Sequence, residues 1–233
     1  MHIQMYPSFD DVFSDQKLYG IFYPLCTVTA VDLAAPIHFV SANGMWIDER
    51  FQTPDNTAEY TLFDNTSGRY QFAGDARLYK GYEVAAGLQT ILAADFAENG
   101  ADYLHNRTKL RAYAQTIKSR LPELNNSDLD LDYYIGTFYE YAITRLNYQL
   151  TGKFQTFNFL IDQWAQHESD IVYTTAQEPL ETMINDGSAG LSDIQGYQFI
   201  GRTIGSEFFT DGNDTVLFYN SGIGKALAMN SYS

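Results

Sequence analysis

The sequence predicts an α+β fold in which a central helical bundle is flanked by N-terminal β-hairpins and C-terminal strands. β-branched and aromatic runs separated by turn signals occupy residues 1–82. Apolar residues at steps of three and four mark residues 83–168 as helical, and strand-like runs return over residues 169–233. Because no linker, repeat or low-complexity segment separates these regions, we predict a single domain over residues 1–233.

Turn signals in the N-terminal region predict β-hairpins. The dipeptide Asn43-Gly44 stands between the runs IHFVSA and MWIDE and is the preferred centre of a two-residue type I′ turn. A second hairpin is expected over EYTLFDNTSGRYQFAG, with its turn between Asp64 and Gly68. A third short strand is expected from Ala76 to Tyr82.

Four helices are predicted in the middle region, joined by short connections that favour an antiparallel bundle. Their expected bounds are Glu83–Glu98 before a stop at Asn99-Gly100, Asp102–Leu121, Ser127–Gly152 and Thr156–His167. The third helix is apolar around most of its circumference, and only Thr137, Glu140, Thr144 and Asn147 form a polar strip. A helix of that kind is covered on several sides, so we expect it at the centre of the fold.

Strand-like runs in the C-terminal region are IVYTT, GYQFIGRTIGSEFF and TVLFYN, with a turn at Asp211–Asp214 before the last of them. A short helix is expected over Glu178–Asn185, with Pro179 in its first turn. If the two β-rich regions pair, the helical middle is an insertion within one sheet. If they do not pair, two β lobes flank the bundle.

Composition and charge exclude several classes of protein. Twenty-nine acidic residues against fourteen basic ones leave a formal net charge of −15, which disfavours general binding of nucleic acid or anionic membranes. The single cysteine, Cys26, forms neither an intrachain disulfide nor a zinc-binding pair, and we expect it to be buried. No signal peptide or membrane-spanning run is visible, so we expect a soluble protein made in a reducing cytosol.

No motif of the chain carries a specific chemistry, and we predict no cofactor. His167-Glu168-Ser169-Asp170 offers possible metal ligands, although a histidine at a helix C-terminus also complements the helix dipole. Asp128, Asp130 and Asp132 share the alternating acids of a calcium loop but lack its glycine and its final glutamate, so we interpret them as helix-capping residues. Gly222-Ile223-Gly224-Lys225 fails the phosphate-loop pattern and is typical of a turn.

Five of the fourteen basic residues lie within one short helical segment: Arg107, Lys109, Arg111, Lys118 and Arg120. They could form a solvated face that pairs with acids elsewhere in the chain. They could equally dock on an acidic patch of a neighbouring subunit, or line a channel that contacts nucleic acid.

These observations favour a non-enzymatic assembly subunit whose partners are copies of itself and other assembly proteins. The expected setting is a virus particle, for example a bacteriophage head–tail connector, ring or tail protein made in the host cytoplasm. The five basic residues would form lateral contacts, and hairpin tips near Asn43, Ser67 and Gly212 would reach along the assembly axis. The viral setting is a prior about proteins with this profile, since no residue specifies it.

Two alternatives remain open from the sequence. One is a cytoplasmic hydrolase that acts through carboxylates in an aromatic cleft, with Trp46 and Trp164 as substrate platforms. The other is a carbohydrate-binding module that uses the same aromatic residues without acids in position.

Overall fold

The chain has an α+β fold, as the sequence predicts. The computed structural model describes residues 1–31, 33–121, 124, 127–158, 163–167, 170–175 and 195–231. Its α-helices are α1 (Phe9–Val12), α2 (Tyr82–Tyr103), α3 (Arg107–Arg120) and α4 (Leu131–Thr151). Its strands are β1 (His2–Met5), β2 (Tyr23–Thr29), β3 (Ile37–Ser41), β4 (Tyr60–Thr66), β5 (Arg69–Phe72), β6 (Gln155–Asn158), β7 (Gln163–Gln166), β8 (Gln198–Thr203), β9 (Asp214–Asn220) and β10 (Lys225–Ser231).

Strands from both ends of the chain pair in the largest sheet. Its order is β5-β4-β10-β9-β8, so the N-terminal β4 lies beside the C-terminal β10, with Tyr60 opposite Met229. Strands β1, β2 and β3 form a second sheet, and β6 pairs with β7. Strand β10 was not predicted, because the run KALAMNS is poor in β-branched and aromatic residues. Antiparallel partners on both sides stabilise it instead.

One predicted hairpin is confirmed and another is wrong. Ser67 and Gly68 have φ angles of 58° and 81°, the two positive values of a type I′ turn, and they join β4 to β5. At Asn43-Gly44 only the glycine has a positive φ, of 88°, so the turn does not match the twist of a hairpin. Strand β3 pairs with β2 instead, and Ile47 forms an isolated bridge with Tyr79.

The segment Ala76 to Tyr82, predicted as a third strand, is not a strand in the structure. Residues Ala76–Leu78 form a 3₁₀ turn, capped by the Asp75 carboxylate, which accepts a hydrogen bond from the Arg77 amide at 3.0 Å. Helix α2 then begins at Tyr82. A local side-chain cap therefore outweighs the β propensity of this run.

Helix α2 continues through Asn99-Gly100, where the sequence predicts a stop. A Cβ atom on Gly100 would lie 2.8 Å from Phe96 Cε1, so the glycine makes room for an aromatic ring and does not end the helix. The Asn99 amide donates to Asp95 Oδ1 within the same helix, at 2.9 Å. Helix α3 begins at Arg107, capped by Asn106, and not at Asp102 as predicted.

The central position predicted for the third helix is confirmed in α4. Every residue from Thr137 to Thr144 is buried, including most of the predicted polar strip. These polar side chains hold neighbouring segments: Glu140 Oε2 accepts from the Thr210 amide at 3.0 Å, and Thr144 Oγ1 accepts from the Phe157 amide at 3.4 Å. Gly152 ends the helix with a φ of 68°, as expected.

The N-cap of α4 is Asp130 and not the predicted Ser127. The Asp130 carboxylate accepts a hydrogen bond from the Tyr133 amide at 3.1 Å. Ser127 lies one turn earlier, where its hydroxyl donates to the Leu124 carbonyl at 2.6 Å. Ser127 and Asp130 are both residue types that cap helices, and α4 begins after Asp130.

The predicted fourth helix, Thr156–His167, is wrong, because its described residues form the hairpin β6–β7. Phe157 pairs with Trp164 across this hairpin, and their ring centroids are 5.2 Å apart. A short run of alternating apolar residues suits a strand as well as a helix, and here the tertiary contacts decide. Strand β6 packs against α4 and buries Phe157.

Other predictions for the C-terminal region have mixed outcomes. In the run IVYTT only Tyr173 pairs, through a bridge to Arg202. The predicted helix Glu178–Asn185 lies outside the described residues.

In the described part of the chain, no helix is both long and apolar enough to cross a membrane.

Candidate interaction surface

The two tryptophans that were predicted as platforms have different environments. Trp46 is 54% exposed, whereas Trp164 is half-buried against Phe157. Of the two, only Trp46 could therefore contact a partner or ligand through a wide face of its ring. Of the three predicted tips, the one near Asn43 is wrong, since Asn43 is buried, whereas Ser67 and the neighbour of Gly212, Asp211, are exposed.

Three contacts hold Trp46 in place. Its ring packs on Tyr133 with centroids 5.3 Å apart and planes tilted by 37°. Its Nε1–H donates to Asp130 Oδ2 at 3.4 Å, and its carbonyl accepts from the Lys80 amide at 2.8 Å. We call Trp46, Asp130 and Tyr133 the Trp46 surface. An exposed aromatic ring that is already ordered loses little side-chain entropy when a partner covers it.

Tyr133 lies in the wall of two concavities. The first, the polar cleft, has a volume of about 280 Å³ and includes Ser41, Asn43, Asn213 and Asn230 in its wall. The second, the acidic groove, has a volume of about 210 Å³ and includes Asp132, Glu140 and Asp211.

The electrostatic field at Tyr133 is negative. Burial, followed by the charges of Asp211, Glu140 and Asp130, raises the pKa of Tyr133 to about 12. The phenol therefore stays protonated at neutral pH and donates to Asn43 Oδ1 at 2.9 Å. A surface of this character attracts a basic or hydroxyl-rich partner.

Each carboxylate of the acidic groove is bound by a protein donor. Thr210 donates to Glu140 through both its amide and its hydroxyl. Lys118 Nζ lies 2.5 Å from Asp132 Oδ1, and the Asn43 amide donates to Asp211 Oδ1 at 3.4 Å. These contacts are structural, and none of them leaves a pair of carboxylates poised on opposite sides of a substrate.

The five basic residues predicted as a subunit contact lie on α3, which contains no acidic residue. Within the described part of the chain, Lys109 Nζ pairs with Asp102 Oδ2 at 2.7 Å and Lys118 pairs with Asp132, and Arg111 also has an interaction partner. Arg111 and Arg120 are exposed, and the side chain of Arg107 lies outside the described part of the structure. The two ion pairs agree with the alternative of a solvated face, but they are exposed and weak.

Basic residues in the first turn of α3 do not stabilise the helix. Arg107 and Lys109 lie at the end where the helix dipole is positive and acidic side chains are preferred. The Lys118–Asp132 pair places the C-terminal part of α3 beside the first turn of α4, where Asp130 contacts Trp46. The side of α3 that carries Lys118, which we call the basic face of α3, therefore adjoins the Trp46 surface.

Sequence reasoning missed a buried trio that links β6 to the loop before β9. His167 Nε2 lies 2.8 Å from Thr156 Oγ1, and His167 Nδ1 lies 3.9 Å from Glu207 Oε1. This order of groups is that of a catalytic triad, but Thr156 is only 2% exposed and its hydroxyl donates to the Glu207 carbonyl. Its proton is therefore engaged, and the trio joins two segments that are far apart in sequence.

The remaining candidate residues have structural positions. Cys26 is buried, which confirms the prediction, and burial raises the pKa of its thiol. Residues 221–224 form the turn between β9 and β10, and Lys225 is the first residue of β10. Among the described residues, no group of three or more histidine, cysteine or acidic side chains could hold a metal ion; Glu168 and Ser169 of the predicted metal segment lie outside them.

Comparison of the chain with protein-family models, with curated proteins and with solved structures finds no match.

Proposed function

We propose that the protein is a non-enzymatic assembly subunit that binds further copies of itself through the Trp46 surface and the basic face of α3. The observation that carries this proposal is Trp46, a tryptophan 54% exposed yet held by a ring contact and two hydrogen bonds. Tryptophan and tyrosine are among the residues that dominate binding energy in protein interfaces. No role within the chain requires this ring to be exposed.

Charge complementarity favours a second copy as the partner. The Trp46 surface lies in a negative field, and the neighbouring α3 carries five basic residues and no acid. In a two-fold contact, each patch meets the other patch of the partner, so adjacent patches of opposite charge are self-complementary. Helix stability gives no reason for basic residues in the first turn of α3. A contact with a second copy would give them a function.

The test is sedimentation equilibrium of the full chain with two matched truncations. Trp46→Ala removes the ring of the proposed contact, and Leu150→Ala removes another exposed apolar side chain, at the end of α4. We expect the wild type and the Leu150 variant to associate. The Trp46 variant should have a dissociation constant at least about thirtyfold higher, equivalent to ~2 kcal/mol.

The electrostatic part of the contact has its own variant. Arg111→Glu reverses the charge of an exposed residue on the same side of α3 as Lys118 and should weaken association, as should raised salt. A wild-type chain that remains monomeric at about 100 μM, where micromolar interfaces are formed, excludes self-assembly. Equal association of wild type and Trp46→Ala excludes this surface.

The setting that we propose for the assembly is a virus particle, such as a bacteriophage head–tail connector, ring or tail. Its support is the acidic, aromatic-rich profile of a chain with eighteen tyrosines and sixteen phenylalanines. Quantitative mass spectrometry of purified particles should find the chain at a fixed copy number per particle. A cytoplasmic pool without particle-bound copies contradicts this setting.

A second candidate function is carbohydrate binding, favoured by the polar cleft beside Trp46. Its wall presents amides and hydroxyls next to an exposed indole, which is the combination that binds the hydroxyls and the apolar face of a sugar. Titration with cello- and malto-oligosaccharides tests it. Saccharide binding that Trp46→Ala abolishes, in a chain that stays monomeric, would favour this function over assembly.

A further inference from the structure

A third concavity, distant in sequence from Trp46, lies where the N-terminal segment meets α2 and α4. Its volume is about 300 Å³, at the lower end of the range of small-molecule sites. Most of its wall is apolar and includes the rings of Phe22, Tyr23, Phe96, Phe138 and Tyr141. We call it the aromatic pocket. An aromatic wall of this kind binds the apolar body of a ligand through dispersion and displacement of water.

One guanidinium lies in the wall of the aromatic pocket. Arg145 is half-buried on α4, and its charge lowers the pKa of Tyr6 and Tyr141, although burial keeps both values raised overall. Acidic residues outnumber basic ones by 29 to 14 in this chain, yet no described carboxylate forms an ion pair with Arg145. A half-buried guanidinium without a counter-ion is a binding point for an anionic group.

A second polar side chain in the same wall is only partly hydrogen-bonded. Gln89 is 9% exposed, and its Oε1 accepts from the Tyr134 hydroxyl at 3.1 Å. No described residue accepts a hydrogen bond from its amide nitrogen, and this atom is not among the fully buried unpaired atoms, so the donor is open to water or to a ligand. The pocket therefore offers two kinds of donor, a charged guanidinium and a neutral amide, within an otherwise apolar wall.

We infer that the aromatic pocket binds a small amphipathic carboxylate, with an alkyl or aryl body between the rings and its carboxylate on Arg145. The guanidinium matches a carboxylate in charge and in fork geometry. A neutral apolar ligand would leave Arg145 without a counter-ion, and a multiply charged ligand would place charge against aromatic rings at a cost. This site shares no residue with the Trp46 surface, so it is independent of the proposed assembly.

Isothermal titration with octanoate, and with octanamide as its neutral analogue, tests the inference. We expect octanoate to bind the wild type and to bind Arg145→Gln about tenfold more weakly, a loss of ~1.4 kcal/mol. Octanamide should bind both chains equally. Arg69→Gln, which removes an exposed guanidinium on β5, is the matched control and should leave octanoate affinity unchanged.

A second variant tests the volume of the pocket. Ala93 lies in the wall on α2 and is only partly buried, so Ala93→Phe should fill the pocket and abolish binding of both ligands. Circular dichroism verifies that this variant folds, and the Arg145 comparison stands without it if it does not. Failure of the wild type to bind octanoate, or equal octanoate affinity in the wild type and Arg145→Gln, overturns the inference.

Discussion

The Tyr139 hydroxyl donates a hydrogen bond of 2.7 Å to Asp95 Oδ2 and thereby ties α4 to α2. Asp95 is buried, and it also accepts from the Tyr103 hydroxyl at 2.8 Å and from the Asn99 amide at 2.9 Å. Burial, followed by the hydrogen bond to Asp95, raises the pKa of both tyrosines, so both phenols remain donors at neutral pH. Neutral donors thus compensate a carboxylate that the fold removes from water.

Removal of one of these donors should destabilise the fold. Tyr139→Phe keeps the ring and leaves Asp95 with one hydrogen bond fewer, which we expect to lower the free energy of unfolding by ~1.5–3 kcal/mol. The measurement is urea denaturation followed by circular dichroism. Tyr148→Phe is the control, because the Tyr148 hydroxyl makes no hydrogen bond within the described part of the chain, and the two variants should differ clearly.

Two glycines inside α2 should respond to substitution in opposite directions. A Cβ atom on Gly87 meets nothing within 4 Å, so Gly87→Ala should stabilise the protein by ~0.5–1 kcal/mol through helix propensity. Gly100→Ala places its methyl group 2.8 Å from the Phe96 ring and should destabilise it. Thermal melts of both variants, compared with the wild type, measure the signs. Equal stabilising shifts would mean that the Phe96 ring moves aside at no cost and that Gly100 is not a packing position.

The hairpin turn at Gly68 provides a third prediction. Gly68 and Gly152 both have a positive φ, so alanine at either position costs about 1–2 kcal/mol in backbone strain. Only at Gly68 would the new methyl group also lie 2.9 Å from Pro36 Cδ, whereas nothing lies within 4 Å at Gly152. Chemical denaturation should therefore show a larger loss for Gly68→Ala than for Gly152→Ala. An equal loss of stability at both sites would mean that the contact with Pro36 contributes nothing to the cost of the substitution.

His38 should make stability depend on pH. Its ring is buried, its Nε2 lies 2.7 Å from the Gly68 carbonyl, and its Nδ1 lies 2.8 Å from Thr27 Oγ1. Burial lowers the pKa of His38 below 6.5, so below that pH the unfolded chain binds a proton that the folded chain does not. The contribution of His38 is complete above pH 6.5 and is lost as the pH falls through its folded pKa.

The pH dependence of the urea midpoint measures this effect. The wild type should lose stability below pH 6.5 more steeply than His38→Gln, even though the variant is less stable at neutral pH. His167 contributes in the same direction, because burial lowers its pKa too, so the slope of the variant should not vanish. His105→Gln, at an exposed site, should have the wild-type slope.

Local signals determined much of the secondary structure. Three features depend on residues that lie close together in the chain: the turn at Ser67-Gly68, the glycine stop at Gly152 and the apolar circumference of α4. They could therefore be predicted from the sequence. The same holds for the burial of Cys26. The α+β class follows from these elements. The single domain stays a prediction, and the assembly function stays a proposal.

Tertiary contacts decided the rest. Helix α2 continues through Gly100 beside the Phe96 ring, strand pairing joins Gln155–Asn158 to Gln163–Gln166, and β4 and β9 enclose an Ala-rich β10. The Trp46 surface and the aromatic pocket each join residues from separate elements, so no local sequence pattern predicts them. Propensity and capping act over a few residues at about 1 kcal/mol or less each, whereas burial and pairing between distant segments contribute more in sum and override them.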